Sequence, residues 1–388
     1  MFNPRTLKII RFSSDIYSSL GSSPYGWDLD EDALSVCPTV RRQIFYSVAS
    51  AATFLYQCFL LYRLVLSFNE THPSVPGIVW IFLWNFINGW GLMAFCNGYI
   101  NKEEVVTLFK GVKLAVSRLE REYATVKTKA VIWKLNSMDI HSLLMVWVVV
   151  FYALAVSLMF CVAPTKPQYV YSLIPPSAGG NTFAFYVFVG IEWYVKASQA
   201  WMIMATDVFT ILPTLLPTAF WLNCIQRMGE KVPTSEKILH YGRFQILIAY
   251  YNKSTAWFVA PFMPVFCPFV LCVVCSFSAI RFHGFLPFFE YLPFLTMANN
   301  GVFIQAVMLF PLTSMFEKSC QFCAKIRQEA NGGRVKVVRK RVAAMHPFGV
   351  RLGPINQVKR SAILLCYNLI ANYIFTLLIT FPQEKVTH

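Results

Sequence analysis

"CYNLIANYIFTLLITF", residues 366–381, decides how the rest of the chain is read. It is apolar and nearly long enough to cross a bilayer core by itself, which takes about 20 residues of helix. Asn368, Asn372, Thr376 and Thr380 recur through it at every fourth position. On a helix of 3.6 residues per turn, such positions drift by only about 40° per step, so the four form one slowly turning polar stripe. In hydrocarbon these groups need partners or water. One reading is a helix–helix interface held by side-chain hydrogen bonds, or Thr hydroxyls bonded to carbonyls four residues back. The other is a wet pore wall made by Asn368, Asn372, Tyr373, Thr376 and Thr380, with Ile374, Leu378 and Phe381 as an apolar constriction that gates by dewetting. A single helix encloses no pore, so the second reading requires an oligomer with this helix at the symmetry axis.

The same composition extends outward. Of 388 residues, 56% are hydrophobic, 16% aromatic and only 14% charged, where a soluble domain carries about a quarter charged. The mean hydropathy is +0.50. Seven spans are expected, over 44–66, 77–99, 143–163, 199–223, 256–280, 291–316 and 361–381, giving an all-α membrane protein. Pro213, Pro217, Pro261, Pro264 and Pro268 should distort the fourth and fifth spans and free backbone carbonyls. The apolar stretch 182–195, interrupted by Glu192, reads as an outer extension of the fourth. Residues 1–43 mix charge with Ser, Pro and Gly and show no apolar signal-peptide core.

Lys and Arg fall unevenly between the spans. Segments 1–43, 101–142, 225–255 and 317–360 hold 29 of them, against 4 in the alternate connections. The positive-inside rule then places the N-terminus in the cytoplasm and, after seven spans, the C-terminus outside. The net charge of +15 is thus a topology signal, and no nucleic-acid partner is implied. The orientation is opposite to that of a G-protein-coupled receptor, whose Asp-Arg-Tyr and Asn-Pro-x-x-Tyr motifs are also missing. Asn69-Glu70-Thr71 is a glycosylation sequon in an outer connection, while Asn252-Lys253-Ser254 falls inside. With no cysteine well inside an outer connection, no extracellular disulfide framework is expected.

Chemistry-bearing residues are sparse. All six histidines (His72, His141, His240, His283, His346 and His388) sit in connections or at span edges. The ionisable residues within spans reduce to Arg63 and Asp207, which are able to pair. Cys320-x-x-Cys323 is a lone pair of thiols, read as packing. Gly332-Gly333 lacks the Lys-Ser/Thr of a phosphate loop. Neither an enzyme, a metal site nor a cofactor is expected.

The inner segments carry helical patterns of their own. Val105, Phe109, Val112, Val116 and Leu119 recur at helical spacing across 101–135, with Lys113, Arg118 and Arg121 elsewhere around the helix, as in an amphipathic rod continuing from the second span. "EKSCQFCAKIRQEANGGRVKVVRKRVAAMHPFG" reads as helix, Gly-Gly break, basic helix and a Pro-Phe-Gly turn into the last span. The basic "RVKVVRKR" run by itself is a stop-transfer cluster beside anionic lipid. The chain divides into a cytoplasmic N-terminal segment (1–43), a six-helix transmembrane region with cytoplasmic extensions (44–316), cytoplasmic helices (317–360), and a seventh helix, the candidate pore wall, with a short outer tail (361–388).

This layout resembles the arthropod gustatory and odorant receptor superfamily, most like a divergent gustatory receptor. Gustatory members often end on Thr-Tyr, five hydrophobic residues and Gln-Phe. Here Asn372-Tyr373 is followed by Ile374, Phe375, Thr376, Leu377 and Leu378, Ile379 replaces the Gln, and the Phe arrives one residue late at Phe381. The resemblance implies a ligand-gated, non-selective cation channel in the plasma membrane, a homotetramer or a heteromer with related subunits, opened by a small molecule. It also implies a pocket in the outer half among the second to sixth spans. Trp84, Trp90, Trp201, Phe262, Asn299, Asn300 and Gln305 are its candidate lining, aromatic walls with a few amides suiting uncharged ligands. Trp193 and Tyr194 suit an interfacial belt. The alternatives are a seven-helix transporter and a receptor-like subunit without conductance.

Overall fold

The computed structural model describes residues 2, 4–37, 39–70, 74–123, 137–174, 182–255, 257, 259–331, 336–353 and 355–383. Among these, seven helical runs are long and apolar enough to cross a membrane. They are α2 (Val40–Phe68), α3 (Val75–Ile100), α5 (Ser137–Val162), α6 (Thr182–Thr206) running into α7 (Leu212–Arg227), α9 (Val259–Pro261) running into α10 (Cys267–Arg281), α11 (Phe288–Asn331) and α13 (Ser361–Thr380). Each overlaps one expected span, and the chain is a nearly all-helical, multi-pass membrane protein. Between them lie α1 (Pro4–Ser19), the hairpin β1 (Tyr25–Asp28)–β2 (Ala33–Val36), α4 (Lys102–Glu122), α8 (Thr234–Thr255), α12 (Lys336–Ala343) and the short hairpin β3 (Arg351–Leu352)–β4 (Ile355–Gln357).

The prolines act through hydrogen-bond register. A proline ring clashes with the carbonyl four residues back and offers no N–H. Ahead of Pro213, the run between α6 and α7 widens into a π-helical turn at Asp207–Ile211, closed by the Leu212 N–H on the Asp207 carbonyl. Ahead of Pro268, Phe262–Phe266 does the same, with the Cys267 N–H on the Phe262 carbonyl. Such turns let a helix absorb an extra residue without breaking.

One placement differs from the sequence reading. Tyr46 OH, near the start of α2, donates to the Phe95 carbonyl at 2.6 Å. A Cβ on Gly98 would meet both Tyr46 OH and Met202 Cε. The level of Met202 is therefore already the end of the bundle where α2 begins, called here the basic end because the Lys/Arg-rich connections gather there. Further back, Glu192 lies against Tyr56, near the middle of α2. Residues 182–204 are thus the half level with the other spans, and α7 is the extension, projecting past the basic end. In the sequence a lone charge in an apolar run has the look of a boundary, but Glu192 lies buried within the bundle.

At the basic end α4, α7, α8 and the second half of α11 pack side by side. The expected amphipathic face is buried: Val105, Phe109, Val112, Val116 and Leu119 of α4 are all 0–2% exposed. α4 is separated from α3 by a break at Asn101, whose amide donates to the Ser254 carbonyl on α8. Residues 124–135 of the expected rod, and Gly332, Gly333, Arg334 and Val335 of the basic run, lie outside the described residues. In α12 only Val342 is buried. Residues 1–43 are more than a polar segment: α1 packs on α5 and α6, Thr6 Oγ1 donates to Asp139 Oδ1 at 2.5 Å, and Tyr17 packs at a tilt on Trp201 and edge-on to Phe209.

The link into α13 is a strap, residues 345–350, and not a simple turn. Tyr241 OH donates to the His346 carbonyl and shares a hydrogen bond with Ser319 Oγ, which accepts from the Phe348 N–H at 2.8 Å. The Asn252 amide brackets the strap, donating to the Gly349 carbonyl and accepting from the Arg351 N–H, both at 2.9 Å. Gly349 is required here, since a Cβ would lie 2.9 Å from Phe316 Cβ.

Candidate pore helix and ligand cavity

α13 packs along α10 on one narrow face. Ile370 meets Cys272 and Val273, with Ile374 and Leu377 completing the contact. Within α13 only Cys366 and Ile370 are buried. Asn368, Asn372, Tyr373, Thr376 and Thr380 are all exposed in the single chain. The hydroxyls of Thr376 and Thr380 donate to the carbonyls of Asn372 and Thr376, each at 2.8 Å. Both threonine protons are therefore spent on the helix itself, and their oxygen lone pairs remain as acceptors on the exposed face. Of the three candidates for an apolar constriction, Ile374 and Leu378 are half-buried. Phe381 is exposed but edges onto Phe277. Ile379, which the sequence reading passed over, stands 81% exposed beside the polar column.

A cavity of about 680 Å³ opens among α3, α5, α6, α10 and α11, on the side of the bundle away from the basic end. Two close approaches fix its walls. Gly91 of α3 sits against Gln199 of α6, where a Cβ would come within 2.8 Å of that side chain. Gly301 of α11 lies against the Pro268 carbonyl and Cys272. Small residues let membrane helices approach this closely. The lining is mainly apolar and aromatic: Trp80, Trp90, Trp147, Ile203 and Met297 are examples. Of the seven sequence candidates, Trp90 and Asn300 line it; Trp84, Trp201, Phe262, Asn299 and Gln305 do not. Trp201 packs on Tyr17 and Phe262 on Phe266.

Polar groups surround the cavity in layers. Gln199, on its wall, donates to Asn88, whose amide donates to Gln57 Oε1 at 2.7 Å; Gln57 in turn donates to Asn85. These amides tie α2, α3 and α6 together as hydrogen-bonded glue. Behind Tyr169 lies a pair that the sequence reading missed. Lys196 Nζ sits 2.8 Å from Glu192 Oε2, the side chains 1% and 0% exposed. Its ammonium lies 4.1 Å from the Trp84 ring centroid and 4.4 Å from that of Tyr169. Glu192 also receives the Tyr56 hydroxyl at 2.7 Å and the Val170 N–H at 3.0 Å. Opposite charges four apart on one helix face were the signal available in the sequence. A second ion pair, Lys166–Glu290 at 2.9 Å, stands on the lining where the α5–α6 connection meets α11.

Arg63 and Asp207 do not pair. Arg63 Nε donates to the Pro167 carbonyl at 3.1 Å, and Asp207 Oδ2 lies 3.1 Å from His141 Nε2. They sit at opposite ends of the bundle, and the second carboxylate oxygen of Asp207 has no partner among the described residues. Asn69 caps the end of α2 and is exposed, its amide donating to the Val65 carbonyl; Thr71 of that sequon lies outside the described residues. The other sequon's Asn252 is engaged by the strap.

No family model matches the chain, and no curated protein does. Among solved structures, it is similar to the insect olfactory receptor OR5 from Machilis hrabei at 12% identity and a TM-score of 0.62, covering 96% of this chain and 97% of that one. The chain has the fold of an insect olfactory receptor. The same receptor in complex with eugenol matches equally well, with 98% of that chain covered. At this identity the likeness speaks for the fold; what α13 and the cavity do has to rest on their own chemistry.

Proposed function

We propose that the protein is a gustatory-type chemoreceptor of the insect chemoreceptor superfamily, acting in the plasma membrane as a ligand-gated, non-selective cation channel. The N-terminus and basic end lie in the cytoplasm and the C-terminus outside. Four copies, or copies shared with a related subunit, bring their α13 helices to a common axis. Asn368, Asn372, Tyr373, Thr376 and Thr380 line the conduit, where outward-facing hydroxyl and amide oxygens replace part of a cation's water shell. Ile379 joins Phe381 as the apolar constriction. An uncharged small molecule in the cavity, against Trp90 and Asn300, favours the open state through its higher affinity for that state.

The observation that carries this reading is the exposed polar column of α13. The Thr376 and Thr380 hydroxyls are satisfied by the helix itself, but Asn368 and Asn372 put amide groups on the face that their own chain leaves bare, and such groups in a membrane call for water or another copy there. The fold likeness adds support, because the similar receptor spans the whole chain and was solved with a small molecule, eugenol. The test is whole-cell recording against a panel of uncharged small molecules, with an epitope tag after the C-terminus stained on intact cells. Ligand-evoked cation current and surface staining are expected. Current-free cells with normal surface staining would support a non-conducting subunit instead.

A further inference from the structure

The cavity is walled unevenly. On α3 and α6 its lining is buried, as at Ile87 and Ile203. On α5 the lining positions Trp147, Phe151, Ala155 and Leu158 recur three or four residues apart, so they share one helix face, and all four are exposed. Trp147, Phe151 and Leu158 leave 59%, 61% and 61% of their surface open. On α11 the lining positions Leu292, Thr296 and Asn300 follow one another at steps of four and are exposed too. A side chain that lines a cavity yet keeps more than half of its surface open stands at a rim.

The two rims belong to helices that do not pack along each other. α5 lies on α6, and α11 lies on α10 and α7; among the described residues there is no comparable packing of α5 on α11. Their ends remote from the basic end are tied instead by the Lys166–Glu290 ion pair, which crosses the top of the gap at 2.9 Å. Below that pair the cavity is open between two helices that are each long and apolar enough to cross a membrane. The slot also lies away from the bare face of α13: that helix packs on α10, and α5 packs extensively on neither. Its rim of Trp147, Phe151, Leu158 and Leu292 is apolar, which suits acyl chains as neighbours.

Resting on the reading of this cavity as the ligand site, we infer that its ligands enter and leave through the bilayer, by the slot between α5 and α11. The route admits uncharged, lipophilic molecules already dissolved among the acyl chains, and occupancy follows their concentration in the membrane. The Lys166–Glu290 pair closes the end of the slot that faces water, so a charged or strongly hydrated compound meets an ion pair where a lipophilic one meets an open gap.

The test uses full-length protein in lipid nanodiscs that contain a phosphatidylcholine with a diazirine part-way along one acyl chain. The headgroup is anchored at the interface, so the carbene formed on illumination meets Ile87 and Ile203 only where an acyl chain passes through the slot. Insertion is mapped by mass spectrometry, with Leu154, exposed on α5 but off the cavity lining, as the internal standard. Labelling of Ile87 and Ile203 is expected. Ala155→Trp and Thr296→Trp, each narrowing the slot from its own rim, should cut that labelling severalfold and leave Leu154 unchanged. Interior labelling that neither variant touches would overturn the slot as the route. If the lipid probe misses Ile87 and Ile203 while a free, water-soluble diazirinyl benzyl alcohol labels them, access is from water; the portal falls and the cavity stands. If neither probe labels them, the proposal and the cavity reading fall together. Phe151 and Ala155 unlabelled beside a labelled Leu154 would mean that a second copy covers the slot, which also overturns the proposal.

Discussion

The fourth and seventh spans both carry polar residues through the membrane, yet they are opposites. In the fourth, 78% of the most apolar window is buried inside the chain; in the seventh, 11% is. Glu192 therefore finds its partners at home, in Lys196, the Tyr56 hydroxyl and the Val170 N–H, and the Lys196 ammonium lies between that carboxylate and two aromatic rings. On α13 the Thr376 and Thr380 hydroxyls find only their own backbone. A buried polar group in a span ties down the chain that owns it. An exposed one leaves a surface that a neighbouring copy or water must complete.

The largest expected effect breaks the fourth span. Lys196→Met leaves the Glu192 carboxylate buried without its cation, which costs about 3–5 kcal/mol. Loss of a monodisperse peak in size-exclusion chromatography is the outcome to look for, with recovery when Glu192→Gln is added. If Lys196→Met alone melted like wild type, Glu192 would have to be neutral or solvated. The seventh span should respond in the opposite way. Thr376→Val and Thr380→Val remove no contact to the rest of the chain, so surface level and melting temperature should hold while evoked current or relative permeability changes severalfold. Reduced assembly with unaltered conduction would assign the column to a helix–helix contact.

The strap is an intermediate case, since it ties α8 and α11 to the start of α13. Asn252→Ala leaves the Gly349 carbonyl and the Arg351 N–H without their bracket, at about 1–3 kcal/mol if they stay buried. The melting temperature should fall, and an unchanged one would mean that water replaces the amide.

The smallest effect is a pH dependence at the basic end. Burial pushes the His240 imidazole below its ordinary value of 6.5; Glu122 and Glu236 oppose that shift, and Arg243 and Arg118 add to it. His240 is therefore neutral when folded, and the unfolded chain takes up the proton first as pH falls. Stability should be complete above about pH 6.5 and decline below it, with His240→Gln flattening the melting profile between pH 8 and 5.5. A wild-type profile already flat over that range would contradict the burial of this ring.

Legibility in the sequence followed the same division. The length of the apolar runs located seven spans, and period located the buried face of α4 and the column on α13, because each is a regular feature of one helix. Glu192 was misread since a lone charge in an apolar run looks like a boundary; only the partner at Lys196, four residues on, marks it as internal. The strap was invisible because Asn252, Ser319 and Tyr241 bond its backbone, which carries no sequence signature. Trp90 and Asn300 line the cavity while Trp84 and Trp201, equally aromatic, pack elsewhere. Composition gives no means of separating them.

Cysteine accessibility of the α13 column tests the central claim most directly. Thr376→Cys and, as the control on the packed face, Ile374→Cys would be exposed to a charged, water-soluble methanethiosulfonate during ligand-evoked current. Rapid, irreversible change of current at position 376, with none at 374 or in wild type, is the expected result. A Thr376→Cys channel that conducts normally and ignores the reagent would put the column against lipid or protein, and the pore reading would fall.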